Sequence, residues 1–176
     1  MKPKDLTIVP CALIEVRDFV ERNHYSHNIN GVKVTQCFKV LYADQLVGAV
    51  IFGQMSTTAW KKFGSKESEV LELRRLVLLD EAERNSESYV IGFTLRWIRD
   101  NLPEVKIIVS YADPMHNHIG TIYKATNFVY QGCSGKDKGF RDIETGKVYH
   151  SRALRTKYKG KYKPFVERLR NKKHLG

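Results

Sequence analysis

The chain has 176 residues, 42% of them hydrophobic, which is enough for one domain with a real core and too apolar for a disordered chain. No apolar run reaches membrane-spanning length and no secretory signal peptide opens the sequence, so the expectation is a cytoplasmic protein with no membrane partner. The formal charge of +11 is unevenly spread: residues 1–132 carry 16 Lys/Arg against 15 Asp/Glu, whereas residues 133–176 carry 14 against 4.

Residues 1–10 read as a first strand centred on residues 6–9. Residues 12–22 place Leu13, Val16, Phe19 and Val20 at the spacing of an amphipathic helix. That helix ends in the polar and aromatic run Asn23-His24-Tyr25-Ser26-His27, and residues 28–31 form a turn. Residues 36–42 and 46–53 are two strands of a hairpin around Ala43-Asp44-Gln45. Residues 54–68 read as an irregular loop carrying Trp60 and Lys61-Lys62. Residues 70–79 form a strand interrupted by Arg74 and Arg75. Strict alternation turns one of these two arginines inward, where it requires an anionic partner. Residues 80–87 are a polar connection. Residues 88–101 are a helix with Val90, Ile91, Leu95 and Ile98 on its apolar side, ended by Pro103.

Residues 105–109 are nearly all apolar and β-branched, the pattern of a strand buried on both faces. Ser110, Tyr111 and Asp113 follow at its carboxyl end, and Pro114 stops it. A short helix over residues 118–126 and a second strand from Phe128 come next. Chemistry in open α/β sheets gathers outside the carboxyl ends of strands. Asp113 is therefore well placed for a site, and Tyr123 is placed to turn back toward it. The element order predicts an α/β protein, a mixed sheet with packed helices, in a single domain over residues 1–176. Its last part, residues 133–176, is a basic C-terminal segment.

In that segment Arg152, Arg155, Lys157, Lys159, Lys161 and Lys163 are interleaved with Tyr149, Tyr158, Tyr162 and Phe165. Basic groups neutralise phosphates and aromatic rings stack on exposed bases, so a nucleic acid is the expected partner; a solvated tail is the bland alternative. Cys11, Cys37 and Cys133 have no metal-ligand spacing and no even count, which predicts free thiols rather than a disulfide framework. Asp113, His116, His118 and His24 are of ligand type, but His116-Asn117-His118 lacks a metal-site spacing, so no metal is assigned.

The element order resembles the GNAT acyltransferase superfamily, in which the loop after the fourth strand holds the pyrophosphate of acetyl-CoA on backbone N–H groups. Here that loop reads DEAERNSES, residues 80–88. No glycine lies between Ser65 and Gly92, a departure from the glycine-bearing pattern of that superfamily. A closer resemblance is to the Mom proteins of bacteriophages, a divergent branch of the GNAT fold. It rests on His24-Tyr25, on ELRRL at residues 72–76, on NSES at residues 85–88, and on the block from Tyr111 to Gly132. The resemblance implies a GNAT-like mixed sheet with helices on both faces. It also implies an enzyme that converts adenine in double-stranded DNA to N6-carbamoylmethyladenine and so shields phage DNA from host restriction. Site positions carried over from the family fall on His24, Tyr25, Arg75, Ser88, Asp113 and Tyr123, with a small-molecule donor of the added group. The cofactor stays unknown, with acetyl-CoA and iron both open.

Each position has a structural reading beside the functional one. Asp113 and Ser88 are residue types that cap helices, Tyr123 could be a core ring, and His24 could be a helix-end histidine. An ordinary acyl-CoA-dependent N-acyltransferase of a small-molecule or protein amine, and a non-catalytic DNA-binding protein, remain as alternatives.

The +10 balance of the C-terminal segment generates a test. Replacing Lys157, Lys159, Lys161 and Lys163 by neutral residues should weaken binding to duplex DNA whatever its sequence. It should also flatten the dependence of affinity on salt, by up to roughly 0.9 for each phosphate no longer neutralised. Unchanged affinity and salt slope would remove the segment from the interface.

Overall fold

Alternation of apolar residues organises residues 7–78 into the antiparallel part of a sheet. In the computed structural model, β1 (Thr7–Cys11) is followed by α1 (Leu13–Asn23), then by β2 (Val34–Tyr42), β3 (Gln45–Gln54) and β4 (Val70–Leu78). Next come α2 (Ser86–Asn101), β5 (Ile107–Ser110), α3 (Thr121–Lys124), β6 (Phe140–Arg141) and β7 (Val148–Tyr149). The structure describes residues 1–29, 33–55, 58–64, 66–112, 120–133, 140–146 and 148–149. Five strands form one sheet in the order β1-β2-β3-β4-β5. The first four are antiparallel neighbours, and β4 and β5 run parallel, as the crossover through α2 requires.

The β2–β3 hairpin turns in two residues, Ala43 and Asp44, with φ of 46° and 61°. Two positive φ values in succession match the twist of the flanking strands, which is why the loop is this short. Residues 58–69 contribute two short 3-10 turns, Ala59–Lys62 and Glu67–Glu69.

Two faces of the sheet are buried under two helices. Phe38, Val40, Val50, Phe52, Leu71 and Leu73 pack against Val90, Ile91 and Ile98 of α2. There Phe38 meets Phe52 and Trp97 edge to face, with ring centroids 6.1 Å and 5.2 Å apart. Cys37, Ala49, Ile51 and Val77 face the other way, under Val16, Phe19 and Val20 of α1. This is the α/β mixed sheet with helices on both faces that the element order predicts.

Three expectations are corrected. The strand expected over residues 105–109 runs from Ile107 to Ser110 and lies at an edge of the described sheet; of its four residues only Val109 is buried. No strand begins at Phe128: Asn127 adopts φ of 63°, and the Phe128 N–H bonds the Tyr123 carbonyl at 3.0 Å, folding the chain back on α3. The described helix before it spans only Thr121–Lys124.

The chain divides into residues 1–130 and residues 131–176. In the latter, β6 and β7 pair antiparallel across a turn that the sequence reading does not anticipate. Asp142 Oδ1 accepts from the N–H groups of Glu144 and Thr145 at 3.0 Å and 3.3 Å, and the Gly146 N–H bonds the Asp142 carbonyl. No helix among the described residues is long and apolar enough to cross a membrane.

The three cysteines form no disulfide. Cys11 and Cys37 face each other across β1 and β2. Burial pushes the Cys37 thiol up to about 12, with Cys11 adding to it; burial and then the Glu15 charge push Cys11 up to about 11. The thiolate is the reactive form, so at pH 8 only on the order of one Cys11 in a thousand is competent. Iodoacetamide at pH 8 should therefore label the exposed Cys133 in the native protein. Cys11 and Cys37 should be labelled only after denaturation, with Cys11 labelling rising as pH approaches 11. Equal labelling of all three in native protein would contradict this.

Candidate active site

The parallel ladder between β4 and β5 has four rungs, from Val70 opposite Ile107 to Leu73 opposite Ser110. Ser110 Oγ donates to the Leu73 carbonyl at 3.4 Å, and there the pairing ends, while β4 continues to Leu78 bonded to β3 alone. At the same level β4 bulges. Leu73 lies opposite Phe52 and Arg75 opposite Ile51, so Arg74 is an extra residue with no partner position on β3.

The bulge changes which way the arginines face. Glu72, opposite Gly53 and Val109, continues the α1 face of the sheet, and Arg75, opposite Ile51, returns to it. Arg74 reaches back to Glu72, so all three groups share that face. The expectation that the two arginines point to opposite faces is therefore wrong, because alternation fails where one residue is inserted. On either side the face is apolar. α1 covers Ile51 and Val77, while Trp60 and Phe63 cover Val70 and Val109. Between these covers lies a polar gap floored by Glu72, Arg74 and Arg75.

Arg74 Nη1 donates to Glu72 Oε2 at 2.6 Å, with side chains only 15% and 12% exposed. Arg74 Nε is buried and has no acceptor among the described residues, a cost of about 1–3 kcal/mol that a purely structural ion pair would have shed. Arg75 is half-buried and forks onto one carbonyl: Nε and Nη2 reach the Asn28 oxygen at 3.2 Å and 2.9 Å, while Nη1 donates to the Arg74 carbonyl at 2.7 Å. Burial lowers the Arg75 guanidinium from its ordinary value and the Arg74 charge lowers it further; Tyr25 and Glu72 oppose both.

The fork holds the loop that follows α1. His24 is buried and its ring lies 4.2 Å from that of the half-exposed Tyr25, tilted by 32°. The Ser26 N–H donates to His24 Nδ1 at 3.1 Å, and Ser26 Oγ lies 2.8 Å from the same nitrogen. Nδ1 thus accepts, which leaves the ring hydrogen on Nε2 and makes that nitrogen a donor rather than a base. Across the gap stands Tyr111, just past the end of β5 and also half-exposed. Burial and the Glu72 carboxylate push its hydroxyl up, and the Arg74 charge pulls it down.

The structure thus brings His24, Tyr25 and Arg75 together on one face. It does not bring Ser88 or Tyr123 to that face. Tyr123 packs on the α2-side core, 5.5 Å from the ring of Phe128, beside the end of β5. Gly120, at φ of 79°, lets α3 start there, with Ala112 and Tyr123 against it. Ser88 lies in the first turn of α2, where its Oγ bonds the Asn85 carbonyl at 2.9 Å and borders an open hollow of about 700 Å³ with Lys2, Lys4 and Tyr89. Asp113 lies outside the described residues, as do Arg152, Arg155, Lys157, Lys159, Lys161 and Lys163. Glu72, Arg74 and Tyr111 are parts of this site to which the sequence reading gives no role, apart from Arg74 as the inward-arginine alternate. A glutamate two residues before a charged pair inside an otherwise apolar strand was the signal.

The loop that holds acetyl-CoA in GNAT proteins does not fit a pyrophosphate here. The Ala82, Glu83 and Ser86 N–H groups are bonded to the carbonyls of Leu79, Met1 and Glu83, at 3.0 Å, 3.0 Å and 3.1 Å. Asn85 occupies the left-handed position before α2, and Glu83 and Glu87 place carboxylates at that helix start. Three donors already engaged, with carboxylates nearby, weaken this stretch as an anion cradle. Among the described residues no three His, Cys, Asp or Glu side chains come together as a metal set; Asp113, His116 and His118 lie outside them.

Residues 5–174 match a model of the Mom protein family. The methylcarbamoylase mom of Escherichia phage Mu is 36% identical over 80 residues, covering 46% of this chain and 32% of that protein. The match thus spans about a third of the length of that curated relative. Among solved structures, the aminoglycoside N-acetyltransferase AAC(6')-Iy with a bisubstrate analog has a TM-score of 0.56 at 12% identity, over 73% of this chain and 94% of that one. The ribosomal-protein-alanine N-acetyltransferase of Brucella melitensis biovar Abortus 2308 has a TM-score of 0.52 at 12% identity, over 74% and 96%. A GNAT family acetyltransferase of Streptococcus pneumoniae TIGR4 has a TM-score of 0.50 at 15% identity, over 74% and 95%. These likenesses establish the GNAT fold for this chain.

The Arg75 fork is open to test on its own. Arg75→Lys keeps the charge but cannot fork. It should destabilise the protein by about 1–2 kcal/mol in urea unfolding and speed hydrogen exchange at the His27 amide, while Arg75→Ala should cost about 1.5–3 kcal/mol. Lysine without effect on either would mean that the fork holds nothing.

Proposed function

The chain belongs to the Mom protein family, and from that premise we propose that it is a DNA-modifying transferase that converts adenine to N6-carbamoylmethyladenine. The modified base would protect phage DNA from host restriction nucleases in the host cytoplasm. The observation that carries this reading is the polar gap where β4 and β5 part, with an arginine pair, a carboxylate and two half-exposed tyrosines in an otherwise apolar sheet face.

Adenine N6 is a poor nucleophile because its lone pair is delocalised into the ring. Inside a duplex it is also paired, so the base must leave the stack to be modified. A site acting on it must hold the base, take a proton from the amine and keep the donor's electrophilic carbon in line. In this reading His24 and Tyr25 hold the base. As N6 bonds to the donor's carbon, that carbon's bond to its leaving group breaks, the leaving group departs with the electron pair, and Asp113 accepts the proton released from N6. Arg75, with N–H groups beyond those on Asn28 and Arg74, positions the carbonyl or carboxyl oxygen of a small-molecule donor on the α1 face, and Tyr123 serves the donor from the α2 face. Ser88 belongs to the donor side, at the start of α2. The C-terminal basic segment binds the duplex backbone. The alternative, an acyl-CoA-dependent N-acyltransferase acting on a small-molecule or protein amine, is opposed by the engaged N–H groups of the loop before α2.

Genomic DNA from cells expressing the protein, digested to nucleosides and weighed by mass spectrometry, should contain an adenosine heavier by the added group. Asp113→Asn should lower its yield by about 10²–10⁴-fold, the range of a general base, with fold and DNA affinity kept. Tyr123→Phe should cost roughly 2- to 10-fold, the value of one hydrogen bond. Unmodified adenine in the wild-type digest would defeat the proposal, and wild-type yield from Asp113→Asn would defeat the assignment of Asp113.

A further inference from the structure

The polar gap has two aromatic sides. On the α1 side stands Tyr25, held through the loop that Arg75 anchors at Asn28. On the β5 side stands Tyr111. It follows Ser110 directly, one residue past the last rung of the β4–β5 ladder, and its phenol feels the charges of both Glu72 and Arg74. Both rings are large apolar surfaces partly left in water, 44% and 47% exposed. The floor between them carries a carboxylate tied to a guanidinium by one oxygen, Oε2.

We propose that Tyr25 and Tyr111 are the two walls of a slot that receives an extruded adenine base, with Glu72 on its floor accepting a hydrogen bond from the exocyclic amine. This inference rests on the adenine reading above and adds to it the residues that recognise the base. The chemistry fits three ways. Aromatic rings stack on any nucleobase face, and each such contact contributes about 1–3 kcal/mol. A carboxylate accepts from an amine but repels a carbonyl oxygen, so Glu72 selects adenine over a base with oxygen at position 6. Arg74 orients Glu72 through the hydrogen bond to Oε2, from its inserted position on the bulge. The amine has two hydrogens: Glu72 takes one in a hydrogen bond, which turns the other toward the group that removes it.

The test measures binding and needs neither donor nor turnover. Two duplexes are compared, identical except for one unpaired base opposite an abasic site, adenine in one and hypoxanthine in the other, with a fully paired duplex as reference. The wild type should bind the unpaired-adenine duplex about tenfold more tightly than the paired one, since base opening no longer costs energy and the stack is gained. It should prefer adenine to hypoxanthine. Tyr111→Ala should lose most of the gain over the paired duplex, Tyr111→Phe should keep it, and affinity for the paired duplex should stay within about twofold in both, because phosphate contacts dominate it. A full gain in Tyr111→Ala overturns the wall, and equal wild-type affinity for adenine and hypoxanthine overturns Glu72. Because neither result depends on modified nucleosides, they separate from a failure of the proposed reaction: modified adenine with no Tyr111 effect removes the slot alone, and a Tyr111-dependent preference without modified adenine removes the reaction alone.

Discussion

Four rungs of parallel ladder hold β5 to β4, and no fifth is made. A parallel strand pair that stops while one member runs on leaves an opening in the plane of the sheet, and apolar side chains cannot line it without exposing themselves. The inserted Arg74 supplies polar groups at that level and turns three charged positions, Glu72, Arg74 and Arg75, to one face. The carbonyl of the inserted residue is met by Arg75 rather than left bare. The position of the site is thus a consequence of strand register, and the apolar packing on both sides of the gap fixes how wide that face can stay polar.

The two faces of the sheet do different work around that opening. His24, Tyr25 and the arginine pair belong to the α1 face, whereas Tyr123 and the start of α2 belong to the other. An opening between parted strands can be approached from either face. The loop before α2 has three of its N–H groups engaged, those of Ala82, Glu83 and Ser86, and carboxylates beside them. The fold is therefore shared with acetyltransferases while the feature that grips their cofactor is not.

Much of this was legible in the residues. The 3.6-residue spacing of Leu13, Val16, Phe19 and Val20 and the hairpin around Ala43 and Asp44 reappear within a residue or two, because local pattern determines them. Residues 105–109 misled because a β-branched run looks alike in a central strand and in an edge strand with only one of its residues buried. Phe128 misled because its apolar neighbours suggested a strand, while the left-handed Asn127 turned the ring onto Tyr123. The arginines misled for a different reason: period-2 reasoning has no term for a bulge, and the bulge is set by the pairing of β4 with β3, not by the sequence of β4 alone. Tyr111 and Glu72 acquire meaning only once that register is known.

The Arg75 fork closes on a carbonyl 47 residues earlier in the chain. α1 and the β2–β3 hairpin are built from contacts between near neighbours in sequence, which form without waiting for distant chain. The loop bearing His24 and Tyr25 is different, because its clamp lies on a strand that arrives only after residues 45–54 and 58–69 have been laid down. On a ribosome, the residues that lead to Tyr25 thus emerge well before the strand that holds Tyr25 in place. The site closes late, in the order of synthesis, and a chain cut short of β4 would have no formed site.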